Sequence, residues 1–146
     1  MRGYLSIEEI SQIDKIIGQR LTSAVIYKFI YSGGLEVISF LKLSFNEKNS
    51  LIIGTGSIAE DIKLFTEEET IQEVTTFLKQ GEVKLKEEDL IENTWKQFAD
   101  SEILSYDLMD KKGYCYNSII LTLKDGKIEV EAGGDELLLF PFYNVK

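Results

Sequence analysis

The sequence predicts an α+β fold of two antiparallel β-meander units, each preceded by a helix, with a central helix linking them. Three observations carry this. Runs rich in Val, Ile, Tyr and Phe recur at strand length between turns that contain Gly, Asp or Asn. Two Ser/Thr-x-x-Glu phrases, Ser6 to Glu9 and Thr66 to Glu69, have the form of capping boxes at helix starts. One pattern also occurs twice, in Val25–Phe65 and in Ile103–Phe140. It reads strand, Gly turn, long strand, polar turn, strand, Gly-containing kink, acidic pair, apolar strand ending in Leu-Phe.

The first helix runs from Ser6 to Ile17, with Ile7, Ile10, Ile13, Ile16 and Ile17 on one face and Gly18 as its stop. Strands follow at Leu21–Tyr31 and Glu36–Phe45. In the second, Val37, Ser39, Leu41 and Leu43 alternate with Ile38, Phe40 and Lys42. A third strand starts at Leu51, with Gly54-Thr55-Gly56 as a break or bend, and a fourth spans Ile62–Phe65. The linking helix is Thr66–Gln80. Glu67, Glu68 and Glu69 lie at its positive dipole end, and Ile71, Val74, Phe77 and Leu78 form its apolar stripe.

A short strand at 82–86 precedes a third helix, Glu87–Ala99, with Leu90, Ile91, Trp95 and Phe98 inward. Four strands close the chain: Ile103–Met109, Tyr116–Leu123, Lys127–Ala132 and Leu137–Phe140. Lys124-Asp125-Gly126-Lys127 reads as a hairpin with a type I′ Asp-Gly turn. The matched acidic pairs Glu60-Asp61 and Asp135-Glu136, and the matched ends Leu64-Phe65 and Leu139-Phe140, suggest an internal duplication. Its pseudo-repeats are 6–65 and 87–140, joined by helix 66–80, within one domain spanning 1–146. Two such meanders are expected to share one sheet or to pack as two.

Composition narrows the chemistry. The 146 residues include no histidine and one cysteine, Cys115, so histidine general bases are excluded and thiolate or imidazole metal sites close to excluded, while an all-oxygen calcium or magnesium site stays open. A nucleophilic Cys115 would need a basic or cationic neighbour, and an ordinary strand cysteine is the expectation. The chain reads as non-enzymatic, with no cofactor and no metal. No apolar run approaches the roughly 20 residues of a membrane span, and the N-terminal stretch Met1–Ser6 has no apolar signal core. The expectation is therefore a cytoplasmic protein with no membrane partner.

The net charge of −9 is unevenly placed. Residues 1–65 hold seven acids and seven Lys/Arg, whereas 66–146 hold eighteen acids and nine lysines. Such a surface disfavours nucleic acid and favours a basic protein partner. Gly54-Thr55-Gly56-Ser57-Ile58-Ala59 fits G-x-G-x-x-A, but no helix follows at once, so a strand kink or bulge is the expected meaning.

The stretch Ile119-Ile120-Leu121-Thr122-Leu123-Lys124-Asp125-Gly126-Lys127-Ile128-Glu129-Val130-Glu131, continuing to Asp135-Glu136-Leu137, looks like small domains found among bacterial toxin systems. With its acidic character and β-meanders, the chain resembles the immunity proteins of those systems. The resemblance implies a bacterial inhibitor that neutralises a cognate, basic toxin by protein binding. The expected surface consists of Glu67, Glu68, Glu87, Glu88, Asp89, Asp135 and Glu136, with Tyr114 and Tyr116 as aromatic anchors. Two other readings are a general protein-interaction or adaptor domain, and a small-molecule module with a concave apolar pocket near Gly54–Gly56. A homodimer through an exposed strand edge is compatible with each.

Overall fold

The computed structural model describes residues 4–56 and 60–144. Part of the N-terminal stretch, residues 1–3, and Ser57-Ile58-Ala59 of the glycine phrase lie outside them.

Helix α1 (Ile7–Ile16) starts at a complete capping box. The Ser6 hydroxyl accepts from the Glu9 N–H, and the Glu9 carboxylate accepts from the Ser6 N–H. Ile13 and Ile16 are buried and Ile10 packs against the core, whereas Ile7 and Ile17, at the two ends of the helix, are exposed. Strands β1 (Leu21–Tyr31), β2 (Glu36–Phe45), β3 (Ser50–Thr55) and β4 (Ile62–Phe65) form a meander. β5 (Val83–Asp89) adds beside β1, giving the order β4-β3-β2-β1-β5. Every pairing is antiparallel, so β4 and β5 run in the same direction. Helix α2 (Glu67–Leu78) is the crossover between them.

The second meander is β6 (Ile103–Met109), β7 (Ser118–Leu123), β8 (Gly126–Ala132) and β9 (Leu137–Tyr143), in that order across its sheet. The two sheets are separate and share one core. Leu21, Ala24, Ile26, Leu41, Leu43 and Ile53 from one meet Ile119, Leu121, Leu123, Ile128 and Val130 from the other. α2 covers the outer face of the five-stranded sheet, over a second cluster of Phe40, Ile52 and Phe65 with Tyr27 and Val74.

A bulge lets β2 serve both clusters. Tyr27 faces Phe40 but Lys28 faces Ile38, so Ser39 is the extra residue. The simple alternation expected for β2 therefore breaks. Ile38 joins Leu41 and Leu43 in the main core, while Phe40 turns toward α2.

Several expectations are corrected. Glu87–Ala99 is not a helix. The alternation beginning at Val83 continues to Asp89 in register with β1, pairing Glu87 with Tyr27 and Asp89 with Val25. The Asp89 carboxylate then accepts from the Ile91 N–H (3.0 Å) and starts a 3-10 turn, Leu90–Glu92, followed by a second at Lys96–Phe98. Leu90, Ile91, Trp95 and Phe98 are buried as expected. Glu87, Glu88 and Asp89 thus end a strand; they do not begin a helix.

The β7–β8 hairpin turns on Lys124-Asp125, with Gly126 opposite Leu123. Neither turn residue has a positive φ, so the turn is not type I′. Gly126 is required for another reason: a Cβ there would stand 2.1 Å from the Phe142 carbonyl oxygen. β3 runs through Gly54 without a register shift and ends at Thr55, so the glycine phrase breaks the strand as expected, but Gly54 itself is neither a kink nor a bulge. The two meanders share their strand order, but only the first has a helix before it, and the likeness does not establish a duplication.

The free edge of β4 is sealed by side chain and loop. The Leu64 N–H donates to Glu9 Oε2 (2.9 Å), and the Ile62 N–H donates to the Tyr116 carbonyl (2.8 Å). Glu9 therefore caps α1 and holds the sheet edge with the same carboxylate. In chemical denaturation, Ser6→Ala should cost about 1 kcal/mol for the lost cap. Glu9→Ala should cost more, about 1–3 kcal/mol beyond the cap, because it also strands the Leu64 N–H. Equal losses would mean that the Glu9–Leu64 bond contributes nothing.

Candidate functional site

Five strands at their usual spacing measure about 19 Å between the outer strand axes, and one helix with its side chains is about 10 Å across. α2 alone cannot cover such a face. It is anchored at Thr66, whose hydroxyl accepts from the Glu69 N–H while Glu69 accepts from the Thr66 N–H. Thr70 is buried, Val74 packs on the aromatic cluster, and Phe77 lies 4.8 Å from the Phe29 ring. The contact stripe is therefore Thr70, Val74 and Phe77. Ile71 and Leu78, expected on the buried stripe, face outward, Ile71 with 63% of its surface exposed.

A concavity flanks α2 on each side. One is a shallow groove of about 190 Å³ lined by Tyr27, Glu67, Thr70, Ile71, Val74, Thr75, Leu85 and Glu87. The other is a cleft of about 660 Å³. Phe40, Phe65, Tyr31 and Val37 of the sheet line it, Glu73 and Phe77 come from α2, and Gly134-Asp135-Glu136 come from the β8–β9 turn. Gly54 makes the aromatic lining feasible. A Cβ there would stand 2.8 Å from the Phe65 ring and 2.9 Å from the Phe40 ring, whose edge-to-face pair has its centroids 5.0 Å apart. In the β8–β9 turn, Gly134 and Asp135 take φ of 61° and 67°, the left-handed conformation that Asp tolerates better than most residues.

The electrostatics of this face are acidic. Glu67 pairs with Lys42, a hydrogen bond that raises the Lys42 pKa. Lys63 lines the cleft but is engaged, 3.5 Å from Glu69 and 4.7 Å from the centre of the Phe65 ring. Among the described residues, Glu73, Glu87, Asp135 and Glu136 stand in no ion pair.

Four of the nine residues singled out from sequence thus line concavities astride α2: Glu67 and Glu87 in the groove, Asp135 and Glu136 in the cleft. Glu68 is exposed on the first turn of α2. Glu88 pairs with Lys28 at 3.8 Å, and Asp89 accepts from the Ala24 and Ile91 N–H groups (3.3 and 3.0 Å). Tyr114 and Tyr116 lie elsewhere, on the β6–β7 loop that folds against β4. The Tyr114 hydroxyl donates to Glu60, which Lys112 also contacts at 3.2 Å, and Tyr116 packs edge-on to Tyr4 at 4.9 Å. Cys115 between them is buried and its thiol pKa is raised, first by burial and then by the nearby Asp61, Asp110 and Glu60.

Sequence reasoning missed Glu73 and the aromatic lining of the cleft. Glu73 sits two positions after Ile71 and reads as ordinary helix surface. Phe40 and Phe65 are far apart in the chain, and only the strand register brings them over Gly54.

Among the described residues no group of three His, Cys, Asp or Glu is placed to hold a metal ion, and no helix is long and apolar enough to cross a membrane. The fold and this face describe a two-sheet α+β sandwich with a partly covered acidic surface. No protein-family model matches the chain, and no curated protein or solved structure proves similar to it.

The Glu60–Tyr114 bond makes a clear spectroscopic prediction. It holds the Tyr114 phenol protonated, pushing its pKa up to about 12, and lowers that of Glu60, with Lys112 assisting. Tyr114 ionises later folded than unfolded, so its share of stability is complete below the ordinary phenol pKa of about 10. That share is lost as pH rises through about 12. Glu60 contributes above its unfolded pKa and loses its share as pH falls through the lowered folded value. In an ultraviolet phenolate titration, Glu60→Gln should return one tyrosine to a lower pKa. An unchanged titration would show that the bond does not persist in solution.

Proposed function

We propose that this chain is a non-enzymatic protein-binding inhibitor, of the immunity type, and that it meets a basic partner through the α2 face. The observation that carries the reading is the arrangement astride α2. Glu67, Glu73, Glu87, Asp135 and Glu136 line two concavities, and Ile71 stands exposed on the wall of the smaller one. An exposed aliphatic side chain in a recess lined by Tyr27, Val74 and Leu85 supplies the apolar centre of an interface. The surrounding carboxylates supply field and register toward a cationic surface. A basic toxin that engages nucleic acid would present such a surface, and the inhibitor would block it by occupying the same charges.

The reading also draws on what the chain lacks for chemistry. It has no histidine, and its one cysteine is buried with its thiol held protonated. A second reading has one observation in its favour: the 660 Å³ cleft lies beside Thr55 and Gly56, where a small-ligand module was expected to have its pocket.

The test is capture of a partner from the native host by the tagged protein, eluted with a salt gradient. A basic protein should elute at low salt. Binding should weaken about tenfold or more with Ile71→Asp and with the pair Glu73→Lys and Glu87→Lys. Glu47→Lys, on the β2–β3 turn away from this face, should leave it unchanged. A partner indifferent to the α2 substitutions would remove the α2 face from the account. A small molecule that raises the melting temperature with no protein captured would favour the ligand reading.

A further inference from the structure

The larger cleft beside α2 has a definite chemistry. Its floor is aromatic, with Phe40 and Phe65 edge to face at 5.0 Å between centroids. Its walls come from three separate segments. The β1–β2 turn supplies Leu35, α2 supplies Glu73 and Phe77, and the β8–β9 turn supplies Asp135 and Glu136. Glu73 and Phe77 are four positions apart, so one face of the helix presents a carboxylate and a ring to the same space.

Charge narrows what the space takes. The carboxylates of Glu73, Asp135 and Glu136 line it without an ion pair among the described residues. The lysine that shares the lining, Lys63, is held by Glu69 at 3.5 Å and lies over the Phe65 ring at 4.7 Å. The aromatic floor thus already carries one cation, and the unpaired acids favour another. An anionic ligand such as a phosphate would meet like charge on two of the walls.

Rings beside carboxylates fit a guanidinium better than an ammonium. A guanidinium is planar, stacks on aromatic faces, takes a carboxylate through two parallel N–H bonds and gives up its water more readily. The cleft, at about 660 Å³, is within the range that holds a small ligand whole. It has room for an arginine side chain together with the backbone that carries it.

We propose that this cleft is a guanidinium pocket and that its occupant is an arginine on a loop of the basic partner. The source of the arginine rests on the partner reading; the chemistry of the pocket does not.

The experiment is a nuclear magnetic resonance titration of the isotopically labelled full chain with N-acetyl-arginine methylamide. The probe should shift the backbone amides of Glu73–Phe77 and of 133–136, and its binding should weaken with salt. The citrulline counterpart has the same shape without the charge and should bind about tenfold more weakly or worse. The lysine counterpart should also bind more weakly than arginine. Neutralising the acids together, by Glu73→Gln, Asp135→Asn and Glu136→Gln, should abolish the preference for arginine over citrulline. Asn tolerates the left-handed φ of 67° at position 135, so the turn keeps its form. No shifts at the cleft, or equal binding of arginine and citrulline, would overturn the pocket. Equal binding of lysine would overturn the assignment to arginine. A captured partner that depends on Ile71 but ignores the neutralised variant would overturn the occupant and leave the α2 reading standing. Arginine binding at the cleft with no basic protein captured would uphold the pocket and remove the partner as its source.

Discussion

The structure depends on one mismatch of widths. A five-stranded sheet that is apolar on both faces must be covered twice. The inner face meets a second sheet of comparable breadth, and the two close into one core. The outer face meets a single helix of twelve residues, about half as wide as the sheet beneath it. α2 is placed by its cap and by Thr70, Val74 and Phe77, and it shields the cluster of Phe40, Ile52 and Phe65. What it cannot shield becomes a recess on each flank. The recesses follow from the crossover topology, since one connection must carry the chain from β4 at one edge to β5 at the other.

The same constraint sorts the acids. Some are structural: Glu9 seals the edge of β4, Glu60 anchors the β6–β7 loop, Asp89 ends β5, and Glu129 and Glu131 hold Lys111 at 3.2 and 2.8 Å. Asp110 belongs with them. It accepts from Tyr4 (2.7 Å), a bond that holds its pKa below the usual range, and from Gly113 (2.6 Å). Others, Glu73, Glu87, Asp135 and Glu136, make no ion pair among the described residues and gather at the recesses. Negative charge left unpaired around apolar concavities adds nothing to an ion-pair network, and the proposed reading takes it as the surface that meets a partner.

The sequence was legible where local rules act alone. Both capping boxes, β1, β2 and β6 to the residue, and the strand order of both meanders follow from turn residues and apolar runs. It misled where tertiary pairing overrode local pattern. Glu87-Glu88-Asp89 before an apolar stretch resembles a helix start, but β1 offers an open edge and the strand runs on to meet it. Ile71 fits an apolar stripe with Phe77 and Leu78, yet the helix turns by about one position to seat Thr70, whose hydroxyl donates back to the Thr66 carbonyl (2.8 Å). The Ser39 bulge leaves no mark in composition, although it decides which face Ile38 joins. Half of the candidate site was visible as acids. The recesses were not, since they arise from distant strands and from the width of a helix.

The central claim is that the α2 face, and not the acidic half of the chain as a whole, meets the partner. Backbone hydrogen exchange of the chain, alone and saturated with a captured basic partner, tests it most directly. Added protection concentrated in Glu67–Leu78 and in the turn at 133–136 is the predicted result. Protection confined to the β6–β7 loop around Tyr114, or to the outer face of β6–β9, would contradict it.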